Sequence, residues 1–135
     1  MKKNFKPGDE KKFTKIITEA DTAGYVEGFV HAVYSTFCIA RDAEWCGRLF
    51  VLEMRDDDEE GIGTMIFIQH LAPAFPGEEI IFTSKIKSLN HHEIITAFKA
   101  EIEDRMIAIG EQGQKIFKKE KLKKIFSNPI VTDSM

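Results

Sequence analysis

His70, Glu44 and Thr36 are the residues of this chain whose types and spacing could do chemistry. His70 ends the apolar run Met65-Ile66-Phe67-Ile68-Gln69, which reads as a strand, and is followed by Leu71-Ala72 and a Pro76-Gly77 turn. An imidazole that titrates near neutrality can take or give a proton, or donate a hydrogen bond to a carbonyl oxygen or a carboxylate. The plainer alternative is a strand-end histidine bonded to backbone. Glu44 stands nineteen residues before Gly63, flanked by Ala43, Trp45 and Cys46 in an apolar segment. A carboxylate buried there is costly without a partner, and burial raises its pKa, which favours a general base or a nucleophile toward a thioester carbonyl. A salt bridge with Arg41 or Arg48, at i−3 and i+4 on the same helix, is equally open.

Thr36 lies eight residues before Glu44, a separation of about 12 Å along a continuous helix and so beyond hydrogen-bond reach. If both serve one site, Thr36 belongs at or before the helix start. There its hydroxyl either faces a substrate held between it and Glu44 or simply caps the helix from Phe37 onward. Gly63 either lets a pantetheine-like arm approach closely or ends the preceding acidic loop with a positive φ. Hydroxyl, carboxylate, glycine and histidine in this order point to acyl chemistry.

The elements that must position these groups follow from periodicity. Residues 12–18 have the β-branched and aromatic content of a strand; residues 20–25 read as a loop, and residues 26–33 as a flap or short helical turn around Gly28, Phe29 and Val30. Over residues 37–52 apolar side chains occupy nearly all sides of a helical wheel, as in a helix surrounded by protein. The Asp56-Asp57-Asp58-Glu59-Glu60 run reads as an exposed loop leading to the strand that carries Gly63 and His70. Ile94, Thr96, Phe98, Ala100 and Ile102 alternate with more polar neighbours, giving a strand with one buried face. Turns at residues 90–92 and 104–105 separate it from strands at residues 79–89 and 106–118, so consecutive antiparallel hairpins are expected. A short basic helix over residues 119–126 completes the pattern. One strand, one helix and four strands in hairpin order predict an α+β domain, with dimerisation to cover the rest of the helix and sheet.

At 135 residues the chain forms one domain, with its core over about residues 11–126 and a loose tail at 127–135. A composition of 43% hydrophobic and 30% charged residues with a net charge of −3 gives no general attraction to nucleic acid or anionic lipid. No run approaches the roughly 20 apolar residues of a membrane span, and no apolar segment follows the N-terminal charges. A cytoplasmic location is expected. Cys38 and Cys46, about 12 Å apart along one helix, are too distant to bridge and read as core thiols in a reducing compartment. His91 and His92 fall in a hairpin turn without a ligand cluster and read as solvated, as does the acidic run. The basic segment at residues 118–124 reads as charged surface or, more sharply, as a contact for coenzyme phosphates.

These elements together resemble the hotdog-fold thioesterases, specifically the group similar to fluoroacetyl-CoA thioesterase. The resemblance is carried by Ser35-Thr36, Ala43-Glu44-Trp45, Gly63-Thr64, His70-Leu71-Ala72 and Pro76-Gly77, and extends over residues 13–126 to Ile109-Gly110-Glu111-Gln112-Gly113 and Lys119-Glu120-Lys121. It implies an antiparallel sheet of about five strands wrapped around a central helix, in a homodimer or higher oligomer that binds acyl-CoA near the subunit interface. It also implies that Glu44 is base or nucleophile, that Thr36 orients it or contacts the acyl carbonyl, and that His70 aligns or protonates groups during turnover. Gly63, Thr64, Phe29 and Val33 would line the substrate. No metal and no dissociable cofactor is implied, coenzyme A entering as part of the substrate. Arg41 and Asp42 stand where relatives have small or apolar residues, which puts a cation within reach of Glu44. The flap has Phe29 but also Glu27 and Val30, unlike the phenylalanine-rich lid of the fluoroacetyl-specific enzyme. A non-catalytic acyl-CoA binder or sensor, or a hotdog dehydratase using Asp42 or His70 as a second proton carrier, are the rival readings.

Overall fold

The computed structural model describes residues 1–25 and 28–127, and the side chains of residues 24–31 lie outside that description. One long helix, α1 (Thr36–Met54), packs across a five-stranded antiparallel sheet of β1 (Glu10–Ile16), β4 (Glu59–His70), β5 (Glu79–Asn90), β6 (Glu93–Ile102) and β7 (Arg105–Lys118). The strand order is β1-β5-β6-β7-β4. A separate hairpin is formed by β2 (Thr22–Tyr25) and β3 (Gly28–Tyr34), and α2 (Lys119–Ser127) follows the last strand.

The helix starts where it does because Ser35, in extended backbone, accepts the Cys38 amide on its side-chain oxygen at 3.1 Å. Cys38, Ile39, Asp42, Ala43, Cys46, Gly47, Phe50, Val51 and Met54 are its buried residues, a run of i, i+1, i+4, i+5 spacings that makes one continuous stripe. The other face is open in the single subunit: Phe37 is 78% exposed, Trp45 42% and Leu52 38%. The helix is thus enclosed on one side only, because the sheet can cover a single face.

β6 alternates as its pattern predicts, with Ile94, Thr96, Phe98, Ala100 and Ile102 all buried. The core divides into two apolar clusters, one around Ile39, Ala43, Phe82 and Ile107, the other around Phe50, Met54, Ile86 and Ile94. At Gly47 the helix approaches the sheet so closely that an added Cβ would strike the Gln112 side chain, and Thr96, Gln112 and Gln114 are buried polar residues on the facing strands.

Three local expectations change. Residues 20–25 and 28–34 do not form a loop and flap but a 3-10 turn (Glu19–Asp21) followed by the β2–β3 hairpin, while Val26 and Glu27 lie outside the described residues. The four later strands are not all in hairpin order. β5, β6 and β7 are, through turns carrying His91 and Glu103 at positive φ, but β4 pairs with β7 at the sheet edge and reaches β5 by the connector at residues 71–78. The acidic run is not wholly loop either: β4 already begins at Glu59, which is 6% exposed and 2.9 Å from the N-terminal ammonium, and Glu60 bonds Arg48 and Arg55 at 2.8 Å each. Long-range cations, invisible to local composition, order those carboxylates.

His91 and His92 are exposed as expected, and Cys38 and Cys46 are free and buried. Among the described residues no helix is long and apolar enough to cross a membrane, and no group of three or more His, Cys, Asp or Glu is placed to hold a metal ion.

Candidate active site

The cap at Ser35 decides the role open to Thr36. Ser35 satisfies the Cys38 amide, so the exposed Thr36 at the first position of α1 keeps its hydroxyl for another partner. That partner is His70, at the end of β4: Thr36 Oγ1 and His70 Nδ1 are 2.9 Å apart. The bond forms with either group donating, and the direction sets the imidazole tautomer. The other ring nitrogen, Nε2, is buried without a hydrogen-bond partner among the described residues, an unusual state for a polar atom out of water.

Glu44 lies on the open face of α1 and is exposed in the single subunit rather than enclosed. Its carboxylate rests directly on Gly63 of β4: a Cβ built on that glycine would sit 2.5 Å from Oε1 and 3.1 Å from Cδ. Gly63 is glycine for space and not for a left-handed backbone, since the positive-φ glycines among the described residues are Gly8 and Gly77. Just after it the β4–β7 register shifts between Gly63 and Met65, a bulge at Thr64 that bends the edge strand. Gly63 and Thr64 line an open cleft of about 590 Å³ with Met65, Glu93, Ile95 and Lys115.

The arginines expected to compete for Glu44 turn elsewhere. Arg41 bonds Asp21 at 2.7 Å and Asp42 at 3.0 Å, and Arg48 bonds Glu60 at 2.8 Å and the Gly61 carbonyl at 3.4 Å. Among the described residues the Glu44 carboxylate has no hydrogen bond and no ion pair. Its main-chain carbonyl accepts from Gln114 Nε2 at 3.3 Å. Gln114 was not marked out by motif, whereas Gln112 fell within the Ile109–Gly113 motif without a role of its own; the place of both on the inward-facing register of β7 beside Ile116 is a signal that polar groups enter the core.

The structure therefore joins α1 to β4 at two points, Thr36 with His70 and Glu44 with Gly63. Along α1 the two helix residues stand about 12 Å apart, so these are separate contacts on one seam. Val33 is half-buried on β3, and the Phe29 side chain falls outside the described residues. The basic segment forms α2, where Lys119 and Lys123 line a second open cleft of about 580 Å³ with Glu60, Leu122 and Phe126.

Close to the helix start, Asp21 is 3% exposed and holds Arg41, Lys15 and the Thr18 amide. Burial alone pushes its carboxyl up, but the Arg41, Thr18 and Lys15 contacts outweigh it and hold the group well below the usual carboxylate range. A depressed folded-state pKa contributes stability that is complete above the unfolded value of about 3.9 and is lost as pH falls below it. Asp21→Asn should cost about 2 kcal/mol at pH 7, and the gap between variant and parent should narrow at pH 3, as read by urea unfolding at the two pH values.

One long helix packed on a five-stranded antiparallel sheet is the arrangement of the hotdog fold, and with the family match that follows the class is that of a thioester hydrolase. A family model described as fluoroacetyl-CoA-specific thioesterase matches residues 17–120. The chain belongs to that family. A thioesterase superfamily member from Thermus thermophilus is similar in structure, at 28% identity and a TM-score of 0.88, with 93% of each chain covered. The fluoroacetyl-CoA thioesterase FlK shares 17% identity at a TM-score of 0.84, over 92% of this chain and 96% of its own. A hot-dog-like protein from Thermanaerovibrio acidaminovorans shares 18% at a TM-score of 0.81, over 89% of each. Among curated proteins none matches the sequence.

Proposed function

We propose that this thioesterase hydrolyses small or medium acyl-CoA esters, with Thr36, Glu44 and His70 as its reacting groups. The observation that carries the reading is the Glu44 carboxylate, held against bare backbone at Gly63 and unpaired among the described residues, on the same seam as the Thr36–His70 bond. A carboxylate without a neutralising partner keeps its lone pairs for the substrate. Glu44 attacks the thioester carbonyl carbon, or takes a proton from a water that does so. Backbone amides stabilise the oxyanion that forms; those at the start of α1 stand about 12 Å from Glu44 along the same helix, so in this reading they come from the second copy of the homodimer. Collapse of that intermediate breaks the C–S bond, and the leaving thiolate receives a proton by way of His70. Direct attack leaves an acyl-glutamyl anhydride, which water then hydrolyses. Thr36 holds the His70 imidazole in one orientation and one tautomer through their 2.9 Å hydrogen bond, and Lys119 and Lys123 take the coenzyme phosphates.

The same reading includes a homodimer built on the β4 edge. β4 is a 12-residue edge strand, and Met65, Ile66 and Phe67 on it are 39%, 44% and 56% exposed. A long apolar edge left in water invites pairing with another strand. A second copy there would also approach the open face of α1 that carries Glu44. In sedimentation the parent should run as a dimer or a multiple of one, and Phe67→Lys should shift it toward monomer with loss of most turnover. Free thiol release over an acyl-CoA panel tests the reaction itself. Saturable binding of acyl-CoA with no thiol released from any member would replace hydrolysis by the sensor reading. A sensor would need Glu44 neutralised, and the neighbouring Arg41 and Arg48 are engaged with Asp21 and Glu60.

A further inference from the structure

Two carboxylates, two cations and one phenol meet under the first turns of α1. Asp42, 5% exposed, accepts from the Tyr34 hydroxyl in a very short contact, from Arg41 Nε at 3.0 Å and from Lys15 Nζ at 3.2 Å. Asp21 shares both cations, at 2.7 Å to Arg41 and 2.9 Å to Lys15. The group draws on β1, the 3-10 turn, β3 and α1 and sums to zero formal charge. A buried ion set of this kind adds little net stability over apolar packing of the same volume, so what it supplies is a fixed geometry.

That geometry acts on the corner formed by Tyr34, Ser35 and Thr36. The Ser35 amide donates to the Asp21 carbonyl at 2.9 Å, and the Tyr34 amide donates to the Ala74 carbonyl at 2.8 Å. Ala74 belongs to the connector that directly follows His70, so Tyr34 is tied through its backbone to the His70 side of the seam and through its fully buried ring to Asp42. Thr36 is two residues further on, and Ser35 between them is fixed by its amide bond to the Asp21 carbonyl and by its cap on the Cys38 amide, so a displacement at Tyr34 is carried to Thr36.

We propose that Asp42, acting through Tyr34, is a positioning residue that keeps Thr36 Oγ1 in register with His70 Nδ1. The proposal deepens the functional reading above and rests on Thr36 and His70 being groups of the reaction. It assigns Asp42 no contact with substrate and no proton transfer.

The test is a cycle of Asp42→Asn with Thr36→Ala, and of Tyr34→Phe with Thr36→Ala. In the parent background Asp42→Asn should lower kcat about tenfold with KM changed less than about twofold, as expected for a misplaced group rather than a lost binding contact. In the Thr36→Ala background the same change should have no further effect. An equal fall in both backgrounds would make the network merely structural and overturn the proposal. Tyr34→Phe removes a single hydroxyl and gives the same decision should Asp42→Asn fail to fold. A second readout needs no turnover: the 15N resonance of His70 Nδ1 should move on Asp42→Asn or Tyr34→Phe in the direction it moves on Thr36→Ala. An unmoved resonance overturns the proposal even if the enzyme is active, whereas a moved resonance in a protein that releases no thiol from any acyl-CoA overturns the functional reading alone.

Discussion

Glu44→Gln should reduce kcat by about 10²–10⁴-fold, the range over which a single acid–base group contributes, while leaving the fold intact. Glutamine keeps the length and shape that fit against Gly63 but cannot act as a nucleophilic carboxylate or accept a proton from water. The stability expectation separates this from damage. Glu44 is exposed in the subunit and makes no ion pair among the described residues, so its neutralisation should change unfolding free energy by no more than about 0.5 kcal/mol. Thiol release measured beside urea unfolding checks both halves, and unchanged turnover would remove Glu44 from the mechanism.

Gly63→Ala should produce the second largest effect, and by displacement instead of deletion. The new methyl would lie 2.5 Å from Glu44 Oε1, far inside contact distance, and the atom it meets is the free end of a flexible side chain. The carboxylate swings away at little cost in stability, and alanine even relieves the weakness of glycine within a strand. A reacting group moved by about 1 Å can lose on the order of 10²-fold in rate, so kcat should fall by about that factor with the melting temperature nearly unchanged. Gly110 offers the contrast. A Cβ there would strike the Phe67 carbonyl of the neighbouring strand, which is backbone and cannot yield, so Gly110→Ala should lower the melting temperature clearly. A fall in stability at Gly63 matching that at Gly110 would mean that Gly63 serves the sheet and not the carboxylate.

Much of the frame was legible beforehand because it depends on near neighbours. The alternation from Ile94 to Ile102 could be satisfied only by a strand with one buried face, and the turns at His91 and Glu103 fall where that alternation breaks. Thr36 had to stand at or before the helix start if it and Glu44 were to serve one site, and it stands at the first position of α1, with Ser35 taking the cap. The hairpin of β2 and β3 was missed because its residues have neither strict alternation nor a marked turn pair, and its pairing has register shifts at Thr22–Ala23 and Ala23–Gly24.

What the sequence by itself determined is the set of elements and the reactive groups each one carries, since side-chain periodicity and capping act over a few residues. The partners were decided only by the tertiary structure. Arg41 is as near to Glu44 along the helix as any pair rule requires, yet it faces Asp21, twenty residues away in the chain. Glu44 sits over Gly63 because an edge strand crosses the helix there. An ion pair or a seat for a carboxylate forms wherever folding brings groups within a few ångströms, and that distance is fixed by the whole sheet order, which no local pattern encodes.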